Sequence, residues 1–293
     1  METRYNELKL AERGAKVSII AYLILASLKI GVGYWASSEA LSADGVNNTT
    51  DIIASVAVLV GLMIARKPVD ADHQYGHFRA ETIASLIASL IMIGVGLNVL
   101  YEAFYSVLFF KVEAPDMMAA GTGLFCSLMI YFVYMYNKRL ANRIHSPGLM
   151  AAAKDNLSDA WVGIGTVVGI VASQFGLPWI DPLAAVVVGF LIIKTGWDIF
   201  REATHSLTDG FDKEFLDEIE GEVYSVTGVE EVKQIRARNH GNAVLMDIIV
   251  GVNPLMTVVE SHQVTDRVEA MLEKRFSIQE AIIHVEPISK YDS

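Results

Sequence analysis

The run LSADGVNNTTDIIASVAVLVGLMIA, residues 41–65, decides how this chain is read. It is long and apolar enough to cross a bilayer, for which about 20 mostly apolar residues suffice. Yet its first half carries Asp44, Asn47 and Asp51. A carboxylate inside an apolar span is costly and is taken as functional by default. Taking this run as Leu41–Ala65, five others of similar character accompany it: Val17–Ala36, Ala80–Leu108, Met117–Tyr136, Leu149–Phe175 and Pro182–Phe200. The third span, Ala80–Leu108, is long enough to tilt or protrude. Six spans also account for a composition that is 53% hydrophobic over 293 residues.

Positive charge orients the spans. Lys9, Arg13 and Lys16 precede the first; Arg66, Lys67 and Arg79 lie between the second and third; Lys138, Arg139 and Arg143 lie between the fourth and fifth; Arg201 follows the sixth. The other connections carry only Lys111. Basic loops stay in the cytoplasm, so both termini are expected there, in a multi-pass protein of the cell membrane. The polar segment Met1–Lys16 lacks the apolar core of a signal peptide. Cys126 is the sole cysteine, which excludes an internal disulfide and a thiolate cluster. The net charge is −11, and no basic face for nucleic acid is evident.

After Ser206 the pattern changes. Asp212–Val226 reads as a helix with Asp212 as N-cap, Glu231–Asn239 and Ala243–Val252 as strands joined at His240-Gly241-Asn242, Thr257–Phe276 as a helix and Ala281–Val285 as a strand. The expected architecture is therefore an α-helical membrane protein with two domains. Residues 1–206 form six transmembrane helices for transport. Residues 207–293 form a small cytoplasmic α+β domain of order αββαβ, which holds 17 acids against 8 bases.

Two spans hold matching polar sets. The second has Asn47 and Asp51, the fifth Asp155 and Asp159, each pair spaced i, i+4 and hence on one helix face. If the faces meet, three carboxylates and an amide converge. Like charges in a low-dielectric interior repel. Either a divalent cation binds among them or they take up protons, which is what a metal/proton exchanger needs. Helix–helix hydrogen bonding is the plainer reading, and it suits Asn48, Thr49, Thr50 and Ser158.

These residues carry a resemblance. The motif Ala43-Asp44-x-x-Asn47-x-x-x-Asp51, the motif Asp155-x-x-x-Asp159, the loop Asp70-Ala71-Asp72-His73-Gln74-Tyr75-Gly76-His77 and the αββαβ tail resemble the cation diffusion facilitator family over nearly the whole chain. The resemblance implies a homodimer that exports divalent metal in exchange for protons, with a metallochaperone-like tail. It implies a peripheral metal site at Asp70, His73 and His77, and a basic–acidic pair, Arg79 and Asp209, linking the third span to the tail. It implies a role for Asp44 in release on the outer side, with helix packing equally open. Zinc-transporting relatives have histidine at the position of Asn47, of Asp155, or of both. Here both are oxygen donors, which suit manganese, and the set resembles the manganese-exporting branch. Iron(II) and zinc(II) stay open as cargo.

The tail departs from the zinc-transporting pattern. Lys233 and Ile249 stand where such relatives have histidine, leaving His262, His284 and Glu286. One weak metal site or a plain dimerisation module are both compatible with that. His240 and His145 read as surface residues, Lys29 and Lys194 as snorkelling or paired, Glu81 and Glu102 as span-end charges, and Gly31, Gly33, Gly94 and Gly96 as packing contacts. No obligatory cofactor is expected beyond the transported ion, and no nucleotide loop is present. Two rivals from other classes are an intramembrane aspartyl hydrolase and a metal-sensing receptor.

Overall fold

The computed structural model describes residues 2–35, 39–109, 117–177, 179–278 and 280–288. The chain divides into two compact units, Met1–Thr204 and His205–Ser293. The first is built from six helices: α1 (Glu2–Trp35), α2 (Glu39–Ala65), α3 (Arg79–Phe109), α4 (Met117–Ile144), α5 (Pro147–Gln174) and α6 (Ile180–Leu207). Even the shortest, 27 residues, runs about 40 Å at 1.5 Å per residue, more than a hydrocarbon core requires. The polar start of the chain is helical too and continues into the first span as the opening of α1. Leu8, Ala11 and Ala15 bury one face there, and Glu12 accepts a 2.5 Å hydrogen bond from Arg66 at the end of α2.

Helices α1, α2, α4 and α5 pack on one another, and α3 lies against α2 and α5. Ile20, Leu23 and Ile24 of α1, Leu90 and Leu97 of α3, Phe125 and Phe132 of α4 and Phe190 of α6 are exposed. A surface so apolar suits lipid rather than water. Among the described residues, three helices each contain an apolar stretch long enough to cross a membrane, within Arg4–Val32, Arg79–Tyr105 and Leu183–Leu207, while α2 adds a shorter apolar segment, Asp51–Ala65. Gly96 lets α3 approach α6, since a Cβ there would lie 2.7 Å from Ile193 Cγ1 and 3.1 Å from its backbone nitrogen. Gly31 and Gly94 face open space, so the packing role expected of them is not theirs; alternate positions on a helix point to different faces.

Glu81 stands at the end of its span, as expected. It is fully buried in the first turn of α3. Its Oε1 accepts hydrogen bonds from the Ser146 hydroxyl and, at 3.3 Å, from the Gly148 backbone nitrogen, while Ser146 Oγ accepts from Leu149 nitrogen at 3.2 Å. A carboxylate of one helix thus satisfies the otherwise orphaned donors that open α5, the helix carrying Asp155 and Asp159.

The second unit contains α7 (Lys213–Tyr224), β1 (Glu231–His240), β2 (Ala243–Val252), α8 (Val258–Phe276) and β3 (Glu280–Pro287). Asp212 caps α7, and Thr257 with Glu260 forms a capping box on α8. The sheet order is β1-β2-β3, antiparallel then parallel, the second pairing requiring α8 as its crossover. Ile219, Val223, Val264, Val268 and Leu272 of the helices bury against Met246, Ile248 and Val250 of β2. His240 ends β1 and is buried, not a surface residue as its place beside the turn implied.

The capping of α5 yields an expected outcome. Glu81→Ala strands buried donors, each costing roughly 1–3 kcal/mol, and should lower the melting temperature of the detergent-solubilised protein. Glu81→Gln keeps the accepting oxygen and should lower it less. Equal melting of all three proteins would show that the cap contributes nothing.

Candidate metal sites

Two clusters of metal-ligating side chains stand out, one inside the helical unit and one in the loop after α2. Asp51 on α2 and Asp155 on α5 are buried, Asp159 is half-buried, and α2 packs against α5. The three acids therefore lie on two helices that pack on each other. Asn47 lies one turn before Asp51 on α2, and Asp44 lies earlier on the same helix; their side chains fall outside the described residues.

A residue absent from the sequence-based set stands among these acids. Tyr22 of α1 is buried, donates a hydrogen bond to Asp159 Oδ2, and its hydroxyl lies within hydrogen-bonding contact of Asp155 and electrostatic reach of Asp51. Asn156 Nδ2 donates to that hydroxyl at 2.9 Å. Asn156 Oδ1 in turn accepts from Ser18 Oγ at 3.0 Å and Asn137 Nδ2 at 3.2 Å. Nothing in the sequence distinguishes Tyr22 from the other aromatic residues of an apolar helix; only the α1–α5 crossing selects it. Of the residues given a packing role, Asn48 accepts from Lys29 Nζ at 3.4 Å and so joins α2 to α1, whereas Ser158 bonds back to Lys154 of its own helix. Lys29 is thus paired within the bundle, while Lys194 is exposed.

The loop cluster is tighter. Asp70 Oδ1 accepts from the backbone nitrogens of His73 at 2.8 Å and Asp72 at 3.1 Å, an Asx turn that folds the loop back on itself. His73 Nδ1 lies 3.0 Å from Asp70 Oδ1 and His77 Nε2 3.5 Å from Asp70 Oδ2, with the imidazole centroids 4.1 Å apart. Gly76 supplies the positive φ of 83° that the turn needs. Among the described residues, this is the one group of three histidine, cysteine or carboxylate side chains whose ligand atoms all lie within 4.8 Å of one another. Asp51, Asp155 and Asp159 are more loosely gathered. Hydrogen bonds from His73 hold the Asp70 carboxyl below the usual carboxylate range.

In the second unit, β1 is irregular between Val232 and Gln234. The extra residue is Lys233, whose Nζ lies 2.9 Å from Glu286 Oε2 on β3. Gly251 of β2, paired with both Glu231 and Glu286, interposes no side chain. The ammonium holds the Glu286 carboxyl below its ordinary value. His284 Nε2 is 3.6 Å from Glu286 Oε1, whereas exposed His262 lies on α8, 3.9 Å from Asp266. Within one chain, His262 therefore does not join His284 and Glu286 in a cluster of three. Asp209 lies 3.9 Å from Arg238 within the second unit, and Arg79 belongs to the first.

Comparison with known proteins follows the two units. The cation efflux transmembrane domain family matches residues 15–208, and the cation efflux protein cytoplasmic domain family residues 211–288. Manganese efflux system protein MneS of Bacillus subtilis (strain 168) is 52% identical over 287 residues, 98% of this chain and 99% of that protein. Uncharacterized transporter YdbO of the same organism is 46% identical, over 97% of this chain and 98% of its own. Manganese efflux system protein MneP, also from it, is 29% identical, over 95% and 97%.

The loop geometry sets a pH dependence. Asp70 holds its charge more readily than an ordinary carboxylate, but an imidazole must give up its proton to ligate, so metal affinity of this cluster should weaken as the medium is acidified. Zinc titration calorimetry on purified protein should resolve a pH-sensitive component that His73→Ala/His77→Ala removes. Identical titrations of the double variant and the parent would exclude the loop from metal binding.

Proposed function

The chain belongs to the cation efflux family, and from that premise we propose that it exports manganese(II) from the cytoplasm through Asn47, Asp51, Asp155 and Asp159. The observation that carries this reading is the ligand set: three carboxylates and an amide on two facing helices, with no imidazole among them. Manganese accepts such hard oxygen donors, whereas zinc gains most from nitrogen and sulfur. The identity shared with two manganese efflux proteins supports the same cargo. Iron(II) has the next-best claim on an all-oxygen site.

Protons compete with the metal for the same carboxylate oxygens. Metal leaves on the far side, protons occupy the acids, and the emptied site returns. Transport is then proton antiport, slowed as cytoplasmic pH falls. The distribution of basic residues supports cytoplasmic termini. The cytoplasmic-domain match supports a homodimer joined through residues 207–293, with residues 1–206 as the transport domain. Asp70, His73 and His77 act as a cytoplasmic capture site. Asp44 lies on the exit side of α2. His262, His284 and Glu286 hold metal weakly at best, because Lys233 already occupies Glu286. No chemical turnover is involved, which separates this reading from an intramembrane aspartyl hydrolase, and flux separates it from a metal-sensing receptor.

The test is metal flux in proteoliposomes, across manganese, iron, zinc and cobalt, with and without an imposed proton gradient. Manganese flux that responds to the gradient is expected; binding without flux would overturn the reading. Asp51→Ala and Asp159→Ala should each abolish manganese flux while the protein stays folded, and parental flux in either would remove that acid from the site. Asn47→His adds the nitrogen donor that zinc accepts well and should raise the ratio of zinc to manganese flux. An unchanged ratio would show that Asn47 does not select the cargo.

A further inference from the structure

The carboxylates of the transport site are held by a hydrogen-bond chain that begins far from them. Asn137 on α4 donates through Nδ2 to Ser18 Oγ at 2.8 Å and to Asn156 Oδ1 at 3.2 Å. Ser18 donates to the same oxygen at 3.0 Å. With its oxygen thus occupied, the Asn156 amide has its nitrogen turned the other way, toward Tyr22, 2.9 Å distant. The Tyr22 hydroxyl has one proton. Its lone-pair side is taken up by Asn156, so the proton points at Asp159. Ser18, Asn137 and Asn156 are each 0% exposed and Tyr22 is 1% exposed, so water does not compete for these bonds. Three helices, α1, α4 and α5, contribute to the chain, and each step fixes the direction of the next.

We propose that Tyr22 is a positioning residue of the transport site, aimed by Asn156, and that it sets how readily Asp159 binds the metal. This rests on the reading of Asp51, Asp155 and Asp159 as that site. A ligating carboxylate gains from a partner that fixes its orientation, and loss of such a partner ordinarily weakens metal affinity by about 10–100-fold. The Tyr22 hydroxyl is bonded to Asp159 and in contact with Asp155. Cargo entering between α2 and α5 meets a carboxylate already oriented from the α1 side.

Tyr22→Phe removes the hydroxyl and keeps the ring in its pocket beside Leu25, Ile130 and Ala160. In proteoliposomes, the half-saturating manganese concentration should rise roughly tenfold or more, with a smaller effect on the maximal rate. The rise in melting temperature that manganese produces should shrink, while the metal-free melting temperature changes little. A purely packing role would do the reverse: it would lower metal-free melting and leave half-saturation unmoved. Asn156→Leu leaves the hydroxyl but removes what aims it, and should move half-saturation in the same direction; it gives a second reading should Tyr22→Phe not fold. Unchanged half-saturation and an unchanged manganese-induced melting shift in the folded variant would overturn the proposal. Asp159→Ala assayed in parallel separates the two levels. Parental flux in that variant overturns the site itself and the role of Tyr22 with it. An inactive Asp159→Ala beside a parental Tyr22→Phe overturns the role of Tyr22 alone.

Discussion

Carboxylates inside an apolar bundle impose the constraint from which the rest of this structure follows. An ionised carboxylate taken from water loses several kcal/mol of solvation, which must be offset by a cation or by donors. Asp51 on α2 and Asp155 on α5 are buried, and Asp159 is only partly exposed. The helices around them carry the compensation. Tyr22 of α1 donates to Asp159, and Lys29 of the same helix is tied to Asn48 of α2. A site built this way is stable with a transient cation or with protons. That suits a transporter better than a permanent metal centre, which would draw its ligands tightly together.

The same economy of donors organises the ends of the helices. Glu81 closes the start of α5 from α3, and Arg66 of α2 is bound by Glu12 of α1. Each contact crosses between helices, so the axial position of α5 depends on α3 as well as on its own Ser146 cap. Because α5 carries Asp155 and Asp159, a shift there would move two proposed ligands at once. The outward faces carry no such demands. Leucine, isoleucine and phenylalanine are exposed on α1, α3, α4 and α6, as expected where the surrounding medium is lipid.

The C-terminal unit solves a different problem, with water on its surface and a core of its own between two helices and a three-stranded sheet. Its departure from a histidine-rich pattern is more than the loss of ligands. The bulge at Lys233 aims an ammonium across the glycine of β2 onto Glu286. An ion pair on the sheet stands where a metal bridge would need an unencumbered carboxylate.

Much of this was legible in the residues themselves. Hydropathy gives six helices because a chain in hydrocarbon must satisfy its own backbone, and only long apolar helices do so. The i, i+4 pairs Asn47/Asp51 and Asp155/Asp159 follow from helix periodicity, and the αββαβ order of the tail from short alternating runs and their caps. The loop cluster was legible too, since Asp70, His73 and His77 are close in sequence and one turn brings them together. Tyr22, Asn156, Asn137 and Glu81 were not. Their partners lie 19 to 138 residues away, and a tyrosine or an asparagine in an apolar run looks the same whether it faces lipid, a neighbour or a ligand. His240 was misjudged for a related reason, because sequence places it beside a turn but only the packed sheet shows it buried. Periodicity fixes which residues share a face. Which face meets which neighbour is decided only when helices pack, because that choice is made by shape and by pairing of polar groups across long separations in the chain.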